Sequence, residues 1–247
     1  MKLEDLTAHS FKALHRQLGH KPYVPPVEAS RADDSDDCRA AVGTGMLTAE
    51  QLHNAARRYR LGKSRSGKTI YWLTDRQGRV YDGHIGNQWV TDMLRRRHPD
   101  VAQYIVAARC LFGLHLLAAD SDGNGCAKNI AIVDDERTAV ILSELFTSLL
   151  WMAFPPHPTI DLLEPLRGHR ITVFPRTDPV GEYFTTALEM AWQAQQAFNL
   201  DITVSDVLER QATPGQKDRD IGLLEFIFES TALKPSNGRF EASKRPV

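Results

Sequence analysis

Two apolar runs of strand length end in charge. Ile130-Ala131-Ile132-Val133 leads into Asp134, Asp135 and Glu136, and Ile171-Thr172-Val173-Phe174-Pro175 leads into Arg176, Thr177 and Asp178. Short continuous apolar runs suit strands buried on both faces, the habit of parallel sheets. A helix-like stretch ending at Phe146 follows the first run. In open α/β sheets ligands bind beyond the carboxyl ends of the strands, so two charged ends at that edge form the first candidate site. Carboxylates there suit a hard cation such as Mg²⁺, which takes one or two of them together with waters and substrate phosphate, and such an ion suits phosphoryl transfer. The same residues admit a structural reading. Asp178 before Pro179 has the form of a helix cap followed by proline in the first turn, and acids at 134–136 complement a helix N-terminus.

The rest of the chain frames these runs. Leu3, Leu6, Phe11, Leu14 and Leu18 lie near helical spacing, which predicts an amphipathic helix over 3–18. Pro22, Pro25, Pro26 and the Asp cluster that follows read as a linker or extended arm. Thr48 with Gln51 forms a capping box opening a helix over 49–57. Three short strands are expected next, at 59–61, 69–74 and 79–85, as an antiparallel meander. Residues 100–118 read as helix in two pieces and 121–125 as a loop. Strands at 130–134, 149–154, 170–175 and 201–205 then alternate with a helix at 136–146, a Pro-rich loop and short helix over 155–166, and helices at 179–198 and 216–229. That alternation implies an α/β fold with a mostly parallel four-stranded sheet flanked by helices. The expected division is an N-terminal helix and linker over 1–45, a basic β-meander over 46–100, an α/β domain over 101–232 and a loose tail over 233–247.

Net charge is −1, yet residues 57–97 carry eleven basic side chains against three acidic ones. Such an asymmetry is compatible with a face for a polyanion, DNA or RNA. Lys63, Arg65 and Lys68 near one turn, and Arg95, Arg96 and Arg97 in a row, are the candidate nucleic-acid contacts. Gly62, Gly67, Lys68 and Thr69 satisfy the phosphate-loop pattern, but the β-type Ile70-Tyr71-Trp72-Leu73 follows where that loop requires a helix. Cys38, Cys110 and Cys126 are odd in number and widely spaced, which argues for reduced thiols rather than a disulfide framework or zinc site. No apolar run reaches the ~18 residues of a membrane span, and the N-terminus lacks a signal-peptide core. A cytoplasmic protein without a membrane partner is expected. His115 lies in an apolar stretch and reads as core.

Several stretches in order carry a family resemblance: PYVPP at 22–26, YRLGKSRSGKTIYWLTDRQGRVYDGHI at 59–85, CLFGLHLL at 110–117, IAIVDDERTAVILSELF at 130–146, LRGHRITVFPRTDPVGE at 166–182 and LERQATPGQKDRDIGLLEFIFES at 208–230. The chain resembles the Toprim fold of bacterial primases and topoisomerases. Within that fold it is similar to Toprim-like proteins of unassigned function, with primase-like features, encoded on bacterial mobile and mobilisable elements. The Toprim pattern implies a Glu after the first strand and an Asp-x-Asp after a later one. Asp134 stands at the Glu position, Arg176 at the first Asp and Asp178 at the second, with Gly181 at a glycine that often follows. Arginine cannot ligate Mg²⁺ and would repel it, but it can bind phosphate. Asp135 and Glu136 are candidate substitutes for the missing ligand.

The resemblance therefore implies a primase-like Toprim protein that is catalytically degenerate and acts as a nucleic-acid-binding accessory in replication or mobilisation. Under the enzymatic alternative, Mg²⁺-dependent nucleotidyl transfer or phosphodiester chemistry would use Asp134 as acid/base and Asp178 as metal ligand. Under a third, the chain is a protein-binding scaffold and its basic stretch a solvated surface.

Overall fold

The computed structural model describes residues 32–97, 99, 102, 109–120 and 129–232. The expected helix at 3–18, the loop at 121–125 and the tail from 233 lie outside the described residues.

Two sheets make the framework. The first is antiparallel, with β1 (Gly62–Lys63), β2 (Thr69–Thr74), β3 (Val80–Ile85) and β4 (Gln88–Trp89) in chain order. Two of its strands, β2 and β3, are the expected strands at 69–74 and 79–85, and the short β1 and β4 flank them. The second is parallel and contains β5 (Asn129–Val133), β6 (Leu149–Ala153), β7 (Arg170–Val173) and β8 (Asp201–Val204), ordered β6-β5-β7-β8. Helices α5 (Glu136–Leu145) and α6 (Glu182–Phe198) and a 3-10 segment at Ile160–Leu166 connect its strands. This is the α/β architecture with a four-stranded parallel sheet that the alternating pattern implies. Ile130, Ala131, Ile132 and Val133 are each 1% exposed or less, as befits a central strand covered on both faces.

One aromatic cluster joins the sheets. The capping box at Thr48 and Gln51 starts α2 (Ala49–Arg58), and Tyr59 closes it. Tyr59 is fully buried and donates its hydroxyl to the Trp151 carbonyl in β6 at 2.8 Å. Its ring stacks on Phe112 at 5.1 Å, and Tyr71 of β2 meets Phe112 edge-on at 5.7 Å. Phe112 in turn exchanges two backbone hydrogen bonds with Ala153, extending the parallel sheet antiparallel at its β6 edge. Gly113 makes the close approach possible. Its φ is +84°, and a Cβ there would stand 3.0 Å from the Trp151 carbonyl oxygen and 3.2 Å from the Tyr59 ring.

Three differences from the sequence reading have physical reasons. The expected linker is, from Ala32 on, a 3-10 turn at Ala32–Asp34 and helix α1 (Asp36–Gly43). Its anchors are polar and distant in sequence. Asp36 Oδ1 accepts from the Thr69 amide at 2.8 Å, and Asp37 Oδ2 accepts from the Tyr71 hydroxyl at 3.0 Å. The expected strand at 59–61 is instead the exit from α2, where Arg60 takes φ +54° and Leu61 is buried by packing rather than pairing. The expected last helix at 216–229 is broken, with α8 (Pro214–Lys217) and α9 (Leu223–Ala232) on either side of Asp220 at φ +50°, and a further short helix, α7 (Val207–Gln211), precedes it. Helices α3 (Val90–Arg97) and α4 (Leu116–Asp120) complete the described elements.

Replacing Tyr59 by Phe keeps the stack and strips the Trp151 carbonyl of its partner. A loss of about 1–3 kcal/mol is expected for a buried group left unsatisfied, read as a lower urea midpoint with an unchanged m-value.

Candidate functional site

The strand order places the site. The chain passes from β5 to β6 on one side, then crosses back to β7 on the other side of β5. The carboxyl ends of β5 and β7 therefore flank a topological switch point, where sheets of this kind open a crevice. Asp134 directly follows β5. Pairing between the two strands runs on past β7, since the Phe174 amide donates to the Ile132 carbonyl at 2.8 Å. Arg176 thus arrives beside Asp134, and its Nε donates to Asp134 Oδ2.

This pair has an acidic surround. The Arg176 side chain is 41% exposed and that of Asp134 25%. The other Asp134 oxygen, Oδ1, is buried and has no hydrogen-bond partner. Burial pushes the Asp134 carboxyl up to about 6; Arg176 works against that rise and Asp135 adds to it. For Arg176, burial disfavours the charge, but Asp134, Asp135 and Glu225 outweigh it and raise its basicity. Gly222 packs at the same place, where a Cβ would stand 3.6 Å from Asp134 Oδ1 and 3.2 Å from Glu225 Oε2.

The other candidate carboxylates are engaged in holding helices. Asp135 caps α5, accepting from the Thr138 amide at 2.8 Å and its hydroxyl at 2.6 Å. Asp178 is 6% exposed and accepts from the Val180 amide at 2.9 Å and the Tyr183 amide at 2.9 Å. Burial opposes its ionisation, but the amides of Tyr183, Glu182, Val180 and Gly181 together hold its pKa below the usual carboxylate value. It braces the start of α6, whose N-cap is Gly181 at φ +73°. Glu136 is 5% exposed and lies 3.2 Å from His84 Nδ1. Among the described residues, no group of three or more His, Cys, Asp or Glu is arranged to hold a metal ion. The four carboxylates proposed as ligands therefore do not fit a bound Mg²⁺: one faces a guanidinium, two brace helix starts and one faces an imidazole.

The basic candidates lie elsewhere, on the antiparallel sheet and after it. Lys63 reaches Asp34 Oδ2 at 2.5 Å, and Arg95 reaches Asp92 Oδ1 at 3.1 Å. Arg65, Lys68, Arg96 and Arg97 are exposed. The pairing of Tyr71 with His84 sets the turn before β2 level with the turn after β3, and Lys68 Nζ lies 3.9 Å from where a Cβ on Gly86 would be. The Lys68 amide donates to Ser64 Oγ at 2.9 Å and strand β2 follows, so the phosphate-loop pattern is a hairpin. His115 is a core residue, with Nε2 3.0 Å from the Arg58 carbonyl oxygen and its pKa lowered by burial.

The family model described as Domain of unknown function (DUF6371) matches residues 44–177, more than half of the chain. The chain belongs to this family. The DUF6371 match takes in the antiparallel sheet, three of the four parallel strands and the Asp134–Arg176 pair, and it stops one residue before Asp178. No curated protein matches. Among solved structures, a DnaG catalytic core is similar at 13% identity and TM-score 0.44, over 91% of this chain and 83% of that one. The Escherichia coli primase catalytic core is similar at 16% identity and TM-score 0.36, over 73% and 64%. A DnaG primase catalytic domain bound to single-stranded DNA is similar at 14% identity and TM-score 0.37, over 92% and 76%. Among the described residues, no helix is long and apolar enough to cross a membrane.

Two residues of the site escape the sequence reading. The charge of Glu225 on α9 acts on Arg176, and His84 reaches Glu136 from the other sheet. Neither belongs to a spaced motif; only the resemblance stretches at 59–85 and 208–230 contain them. The His84 pKa is raised chiefly by Glu136; burial opposes this, and the charges of Glu136 and Asp82 outweigh that of Arg109. A group whose folded pKa is raised adds stability that is full below its unfolded value, ~6.5, and fades as pH climbs through the folded value. His84→Gln is therefore expected to lower the urea midpoint more at mildly acidic than at mildly alkaline pH. An equal loss at both would separate the stabilisation from His84 charge.

Proposed function

We propose that this chain is a primase-like Toprim protein with a neutralised catalytic centre, serving as a nucleic-acid-binding accessory module in replication or mobilisation. The observation that carries the binding is the fate of the three acids within the basic stretch. Asp75 pairs with Arg79 at 2.6 Å, Asp82 is fully buried beneath the start of α3, and Asp92 faces Arg95. Exposed positive charge lies on the hairpin turn and at the end of α3, at Lys68, Arg96 and Arg97. Such a surface attracts a phosphate backbone without reading sequence. The engagement of Asp134, Asp135, Glu136 and Asp178 described above supports the non-catalytic part of the reading. It also gives Arg176 a carboxylate partner in place of the phosphate expected for it.

Fluorescence anisotropy with a labelled single-stranded oligonucleotide tests this. Binding should weaken steeply with salt. A Lys68→Ala, Arg96→Ala, Arg97→Ala variant should bind more weakly, with the log–log salt slope reduced by about 2, given ~0.7 per phosphate contact on a single strand. Salt-independent binding, or an unchanged slope in the triple variant, would return the chain to the scaffold reading.

A further inference from the structure

We infer that Arg176 is the resident cation of the switch-point site: its guanidinium does the charge balancing that a divalent ion would do there. This goes beyond the non-catalytic reading above and rests on that part of it, not on nucleic-acid binding. Asp134 gives one oxygen to Arg176 Nε. Its second oxygen is buried without a hydrogen bond, and the backbone at Gly222 closes on that oxygen. A buried carboxylate left in this state requires a positive charge close by. Arg176 is the cation paired with it, and Asp135 and Glu225 also act on that guanidinium. An incoming phosphate would meet those three carboxylates, so the arrangement suits a cation already in place better than a receptor for an anion. Asp178 stays outside the cluster because two amides hold it.

Removing the guanidinium should open a cation site. It would leave both Asp134 oxygens without a partner, next to solvent that Arg176 now partly covers. Mg²⁺ is commonly held by one or two carboxylates and several waters, so Asp134 with water, and Glu225 near by, meets its needs without the missing Asp. Lysine at 176 would keep the charge and exclude the ion.

The test compares the full chain with Arg176→Ala, Arg176→Gln and Arg176→Lys by thermal unfolding in EDTA and in Mg²⁺, and by the electron paramagnetic resonance signal of free Mn²⁺. Wild type and Arg176→Lys should show no metal-dependent Tm shift and no bound Mn²⁺. Arg176→Ala and Arg176→Gln should melt lower in EDTA. They should regain roughly 5–10 °C at about 100 times the Kd of the ion, and lose that gain when Asp134→Asn is added. If Arg176→Ala fails to fold, the Gln variant carries the test. Saturable metal binding by the wild type, or neutral variants that are destabilised but deaf to metal, would overturn the inference. Failure of the oligonucleotide assay leaves these outcomes unaltered, so the two readings fall separately.

Discussion

A carboxylate at the end of a strand buried on both faces needs a counter-charge, and Asp134 is in that position. Val133 before it is 1% exposed, and the Asp134 carboxyl is held partly out of water. Burial favours the neutral acid and Arg176 favours the anion, and burial is the larger of the two. The pair forms because β5 and β7 are neighbours although β6 separates them in sequence. Elements packed around it are fixed by the same geometry. The Thr177 amide donates to the Ile221 carbonyl at 3.1 Å, its hydroxyl donates to Glu209 at 2.6 Å, and Lys217 holds the other Glu209 oxygen at 2.6 Å. The segment after β8 is thereby tied to the edge where Arg176 sits.

The two sheets meet through contacts of different character. Tyr59, Tyr71 and Phe112 make a buried aromatic joint, with one buried hydrogen bond from Tyr59 to the Trp151 carbonyl, and such joints are rigid because interiors are close-packed. The His84–Glu136 contact is ionic and sits at the first turn of α5. It therefore ties the mouth of the crevice to the basic sheet through an imidazole whose pKa that contact raises. Acids before the meander have a comparable structural use: Asp36 and Asp37 fasten α1 to β2 and bring negative charge under the basic hairpin, where Lys63 meets Asp34.

Legibility followed the range of the interactions. The capping box at Thr48, the strand Thr69–Thr74 and the buried run of β5 depend on neighbours in sequence, and each is readable from residue type and spacing. Helix α1 is not legible in the sequence because its stabilising partners, Thr69 and Tyr71, are more than thirty residues away. The start of α6 lies later than its sequence suggests for a related reason. Asp178 and Pro179 look like a cap and first turn, whereas the helix begins at Glu182 after Gly181 turns the backbone left-handed, and Asp178 braces it from outside.

The sequence by itself determined the alternation of strands and helices, the charged strand ends and the basic excess between residues 57 and 97. These are written in composition and period, which a local reading recovers. Only the tertiary structure decided what each charge does. Asp134, Asp135, Glu136 and Asp178 are chemically equivalent candidates in one dimension, but their partners are a guanidinium, a helix start, an imidazole and two amides. The physical reason is that a carboxylate's role depends on which donor lies within about 3 Å and how much water remains. Both are properties of packing between residues far apart in the chain.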